Sequence, residues 1–121
     1  MNEDRTDSPQ RVLIVYRDPL LRDVVANLLN DEKDIEVVFA CRTDQFEPGM
    51  LNAHQPDVVV ADRMPATELQ ALLDEIARRS PGARLVSVNL SCDDLTVYRG
   101  QRRQNAGAED LLEAVRDARS G

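Results

Sequence analysis

The chain of 121 residues is long enough for one domain with a single three-layer core. Its 42% apolar and 31% charged content is that of a globular protein, and no apolar run approaches the ~20 residues of a membrane-spanning helix. Fifteen Lys and Arg against 22 Asp and Glu leave a net charge of −7, which repels phosphate backbones and argues against direct nucleic-acid binding. The first ten residues hold no apolar signal-peptide core, so the expected location is cytoplasmic. Cys41 and Cys92 form no CxxC pair, and with His54 they make only three scattered soft ligands, so neither a metal nor a cofactor is expected.

Residues 1–10 are polar and aperiodic, contain Pro9, and read as a disordered leader to a domain spanning 11–119. Arg11 to Tyr16 is a continuous β-branched apolar run, as in a strand buried on both faces. Asp18-Pro19 then supplies an N-cap and first-turn pair. Leu20, Leu21, Val24, Val25, Leu28 and Leu29 repeat at helical spacing to about Asn30. Ile35 to Ala40 is a second strand. Pro48-Gly49 interrupts the next helix, leaving a short turn around Met50 to His54. Val58 to Ala61 is a third strand ending at Asp62. Thr67 to Gln70 resembles a capping box, and Leu69, Leu72, Leu73 and Ile76 stripe a third helix that stops at Ser80-Pro81-Gly82. Arg84 to Asn89 is a fourth strand, and Glu109 to Arg119 a final helix with Leu111, Leu112 and Val115 inward. Between Leu90 and Ala108 the pattern fades. The alternation predicts a fourth helix and a fifth strand there, yet Gly100 to Gln104 is polar throughout, so both are expected to be shortened or irregular, and the fifth strand poor or absent, or paired only as a short edge strand where charge is tolerated.

This order predicts an α/β fold, a three-layer, doubly wound, parallel sheet whose ligands bind outside the carboxyl ends of the strands. The residues expected there are Tyr16, Arg17 and Asp18 after the first strand, Asp62 to Pro65 after the third, and Asn89 after the fourth. No GxGxxG or GxxxxGK[ST] is present to cradle a nucleotide. A lone His54 at the end of a broken helix makes no catalytic arrangement, and a surface position is its expected place.

Arg11-Val-Leu-Ile-Val-Tyr-Arg-Asp-Pro-Leu-Leu-Arg, Asp34-Ile-Glu-Val-Val, Pro56-Asp-Val-Val-Val-Ala-Asp-Arg-Met-Pro and Glu109-Asp-Leu-Leu-Glu-Ala-Val-Arg together resemble the receiver domain of bacterial two-component response regulators. The wording is closest to receivers that precede helix-turn-helix output domains. The resemblance implies a CheY-like, flavodoxin-like fold, and an Asp at the end of the third strand that accepts a phosphoryl group from a histidine kinase in a phosphorelay. Asp62 stands at that position. It implies further an acidic pair after the first strand that holds Mg²⁺, a hydroxyl after the fourth, and a Lys after the fifth.

The sequence departs from that pattern at each supporting position. The acidic pair falls on Tyr16 and Arg17, with Asp18 following as the expected N-cap. The hydroxyl falls on Asn89, and the Lys falls near Gln104. Lys33, which precedes the second strand, is the only Lys in the chain. Asp62-Arg63-Met64-Pro65 is one residue shorter than the usual spacing to Met-Pro, which alters the loop that lends a carbonyl to the metal. Arg17 would place a permanent cation where the metal belongs, so an Arg17–Asp62 salt bridge is expected in place of Mg²⁺, the alternative being that Arg17 swings into solvent and leaves Asp62 hydrated. The expected function is an atypical receiver that catalyses nothing and acts by phosphorylation-independent contact with another signalling protein or with its own copy, without membrane or nucleic acid. Two alternatives stand beside it: a working receiver phosphorylated on Asp62, and a small flavodoxin-like enzyme or ligand-binding domain. The cluster Arg99, Arg102 and Arg103 is either a docking patch for an acidic partner or a solvated loop.

Overall fold

The computed structural model describes residues 9–89, 94–99 and 102–107. Within them lie β1 (Gln10–Tyr16), α1 (Pro19–Asn30), β2 (Ile35–Arg42), a 3₁₀ turn (Thr43–Gln45), α2 (Gly49–His54), β3 (Val58–Asp62), α3 (Ala66–Arg79), β4 (Arg84–Asn89), β5 (Asp94–Arg99) and β6 (Arg102–Gly107). The strands form one sheet in the order β2-β1-β3-β4-β5-β6. The first four are mutually parallel, and β5 and β6 join antiparallel.

The four parallel strands and their helices have the expected doubly wound α/β architecture. Their apolar residues alternate between two cores, as the period of two in a strand requires. Val12, Ile14 and Tyr16 of β1 join Val58 and Val60 of β3 and Val86 and Val88 of β4 on the α1 side. Leu13 and Val15 join Val59, Ala61 and Leu85 on the side of α2 and α3. Each buried Val or Leu contributes about 1.5–3 kcal/mol of transfer free energy, which fixes this register against a one-residue slip.

Asp18 caps α1 as expected: its Oδ1 accepts the Leu20 amide N–H at 3.0 Å, and Pro19 opens the helix. The six Leu and Val residues of α1 divide into two ridges. Leu21, Val25 and Leu29 are buried against the sheet, whereas Leu20, Val24 and Leu28 are 57%, 36% and 40% exposed. Helix α3 begins at Ala66 after Pro65, with no side-chain cap, so the Thr67–Gln70 capping box does not form. On the edge strand β2, Val12 faces Val37 and Leu13 faces Phe39, which leaves Val38 as a bulge. Such a kink also blunts an edge against pairing with other chains.

After β4 the alternation breaks, as its fading pattern implied, and the segment around Arg102 pairs at the sheet edge, whereas the antiparallel strand before it was not expected. Only residues 90–93 separate β4 from β5, too few for the crossover of about a dozen residues that a parallel neighbour needs. The chain therefore turns back, and Asp94–Arg99 pairs antiparallel with β4 from Leu85↔Tyr98 to Asn89↔Asp94. The polar segment Arg102–Gly107 pairs beside it as the edge strand, a place where charge is tolerated. Residues 1–8 of the expected leader and the expected helix Glu109–Arg119 lie outside the described residues. Gln10, assigned to the leader by sequence, is the first residue of β1.

Candidate functional site

Strands β1 and β3 lie side by side, and their connections leave toward opposite faces of the sheet, the arrangement that opens a crevice at the carboxyl ends. A cavity of about 330 Å³ opens there, lined by Arg17, Asp18, Leu20, Leu21, Asp62, Arg63 and Asn89. Of the residues singled out from the sequence, it brings together Arg17, Asp18, Asp62 and Asn89. Tyr16 is instead turned into the core beneath α1, with the Arg22 guanidinium 5.2 Å from its ring centre. Met64 lines a neighbouring hollow. Gln104 pairs with Val97, which pairs with Val86, so it sits at mid-sheet two strands beyond β4 and not at a carboxyl end.

Asp62 is held by main chain. Its Oδ2 accepts the amide N–H groups of Arg17 and Asp18, each at 3.0 Å, and its Oδ1 accepts that of Arg63 at 2.8 Å. Hydrogen bonds from amides to an ionised carboxylate are of the charge-assisted kind, and the two from Arg17 and Asp18 tie the β1–α1 turn to the end of β3. The expected Arg17–Asp62 salt bridge is not formed. With its own amide on the carboxylate, Arg17 sends its side chain away over the loop. Its Nη2 lies 4.0 Å from Glu68 Oε1 on α3, both side chains being about half exposed. The sequence reading missed Glu68 as the partner of Arg17 because the two are 51 positions apart, and it gave Arg63 no role. Only the short spacing from Asp62 to Pro65 hinted that this loop folds back onto the carboxylate.

The divalent cation that the resemblance implies does not fit these residues. Both Asp62 oxygens already accept amide protons, Asp18 caps α1, and the remaining positions supply an arginine and a buried phenol. Arg17 and Arg63 match Asp18 and Asp62 in charge, so no surplus of negative charge calls for a metal. Among the described residues no cluster of three His, Cys, Asp or Glu side chains occurs.

Away from the site, His54 stacks on Phe39 with ring centres 4.6 Å apart, and its carbonyl accepts two N–H bonds from the Arg11 guanidinium. These contacts are structural. No described helix is long and apolar enough to cross a membrane.

No family model matches the chain, and no curated protein matches it in sequence. Among solved structures it is similar to the signal receiver domain of a Mycobacterium tuberculosis protein described as the response regulator NarL. The likeness covers 68% of this chain and 67% of that one at 23% identity, with a TM-score of 0.55. At that identity the likeness establishes a shared flavodoxin-like α/β fold.

Proposed function

We propose, from a fold held in common with a signalling receiver, that the chain is a pseudo-receiver working by protein–protein contact in the cytoplasm, without phosphorylation or Mg²⁺. The observation that carries this reading is the engagement of both Asp62 oxygens by backbone N–H groups, two on Oδ2 and one on Oδ1. An acceptor carboxylate must offer one oxygen to phosphorus and the other to the metal, and here both are engaged in holding the chain. A switch also needs a ligand that binds its two states differently. With Asn89 in place of a hydroxyl and no Lys available beyond Lys33, a phosphoryl group would find few contacts that could create that difference. Without that difference phosphorylation would not switch the module, and its partner is another signalling protein or a second copy.

The test is a titration with Mg²⁺, with and without beryllofluoride as phosphoryl analogue, followed by amide NMR shifts at residues 16–20, 62–64 and 89. No saturable shift is expected. Saturation in the low-millimolar range that Asp62→Asn abolishes would establish the rival reading, a working receiver phosphorylated on Asp62.

A further inference from the structure

A second hollow, of about 310 Å³, lies on the α3 side of the sheet. It exists because Pro48-Gly49 cuts α2 to six residues, so a 3₁₀ turn and an extended link run where a full helix would cover the end of β1. The buried side chains Val15 and Leu72 belong to its lining, with Phe46 and Met64 packed on the same core. Thr43 and Pro48 come from the loop side, and Ala71, Glu68 and Glu75 from α3. A mostly apolar recess with a few polar groups, at the low end of the ~300–1,000 Å³ range, has the character of a small-molecule site.

The polar groups decide which molecule. Glu75 is occupied, since its Oε1 accepts from Arg79 Nε at 2.8 Å and its Oε2 from Arg78 Nη2 at 3.3 Å. Among the described residues, Glu68 meets only Arg17, at the 4.0 Å outer limit of an ion pair. It is thus the lining carboxylate with capacity for a further donor.

We propose that this hollow binds a small arylalkylamine, with the ring on Val15, Leu72, Phe46 and Met64 and the ammonium on Glu68. Aromatic contacts with the Phe46 ring and the Met64 thioether favour an aryl body over a plain alkyl chain. An ammonium on Glu68 competes with Arg17, whose backbone amide is bonded to Asp62. Ligand binding therefore reaches the β1–α1 turn without any phosphoryl group. The regulatory meaning rests on the pseudo-receiver reading, whereas the binding site does not.

The experiment is calorimetric titration in Mg²⁺-free buffer with 2-phenylethylamine, 2-phenylethanol and 3-phenylpropanoate. The amine should bind saturably, the alcohol about fivefold more weakly, and the acid not at all, the ratio a half-exposed ion pair supplies. Glu68→Gln should lower the amine to the level of the alcohol and leave the alcohol unchanged. Arg17→Ala should tighten the amine by removing its competitor. Ala71→Leu, which fills the hollow from a solvent-facing position, should abolish binding of both, with thermal melting confirming that each variant is folded. Equal binding of the three probes, no saturable binding of the amine, weaker amine binding in Arg17→Ala, or unchanged binding in a folded Ala71→Leu overturns the assignment. Because no metal or phosphoryl donor is present, such a failure leaves the pseudo-receiver reading standing, and Mg²⁺ binding would overturn that reading alone.

Discussion

At the scale of single residues, the carboxylate of Asp62 and the guanidinium of Arg17 have separate occupations, one holding main chain and the other reaching over solvent. Removing the carboxylate leaves three amides at an exposed position, where water replaces part of what is lost. Asp62→Ala should therefore cost about 1–3 kcal/mol in urea unfolding, the low end for charged hydrogen bonds that are not additive. Arg17→Ala should cost no more than about 0.5 kcal/mol, because its ion pair is long and exposed. The double variant should equal the sum, since the two side chains do not meet. A coupling above about 1 kcal/mol would place the guanidinium on Asp62 after all. The local part of this site is legible in the sequence: Asp18-Pro19 specifies a cap because the groups involved are two residues apart. The fate of Arg17 is not legible, because it depends on where α3 brings Glu68.

Cys41 offers a second residue-scale test. Burial pushes its thiol above the ordinary range, and its Sγ lies 3.9 Å from the Met50 sulfur. A thiol held neutral in the fold leaves stability untouched at neutral pH and lowers it as pH rises past the ordinary value near ~8.5, where the unfolded chain ionises first. Iodoacetamide labelling read peptide by peptide should be slow at Cys41 at pH 7.5 and accelerate with urea. Rapid labelling of the folded protein would contradict its burial.

At the scale of elements, α1 shows what periodicity does and does not say. The helix and its cap follow from spacing alone, yet its six Leu and Val residues cover twice the arc that one sheet contact uses. Only the sheet decides which ridge is buried. Leu21→Ala should cost about 2–5 kcal/mol, whereas Leu20→Ala should change stability by about 0.5 kcal/mol or less. Equal losses at the two positions would mean that the exposed ridge is covered in solution. The β5–β6 hairpin is the element that sequence reading lost. Leu95-Thr96-Val97-Tyr98 has strand composition, and Gly100-Gln101 is the two-residue, glycine-first spacing of a hairpin. The expectation of continued alternation concealed both, and an edge strand such as Arg102–Gly107 needs no apolar pattern to announce itself.

At the scale of the whole molecule, the sheet has two halves with different wiring. Three parallel pairings build the β2-β1-β3-β4 half, and each closes a loop of some twenty residues or more; Val12↔Val58 is the longest. The β4-β5-β6 half is a meander of sequence neighbours. Loop-closure entropy must be met before distant contacts return anything, so pairing across β1 and β3 sets the pace of folding. The meander, by contrast, can form as soon as β4 has a surface to lie on. Val60→Ala, in the strand β3 that pairs with both β1 and β4, should slow refolding, whereas Thr96→Ala in the hairpin should chiefly speed unfolding. Stopped-flow refolding and unfolding rates for the two variants measure this directly, and the reverse assignment would place the hairpin in the nucleus. By turning back after β4, the chain exchanges one slow parallel closure for two fast local ones, and so shortens the time during which the strand edges of the half-formed sheet stand open to other chains.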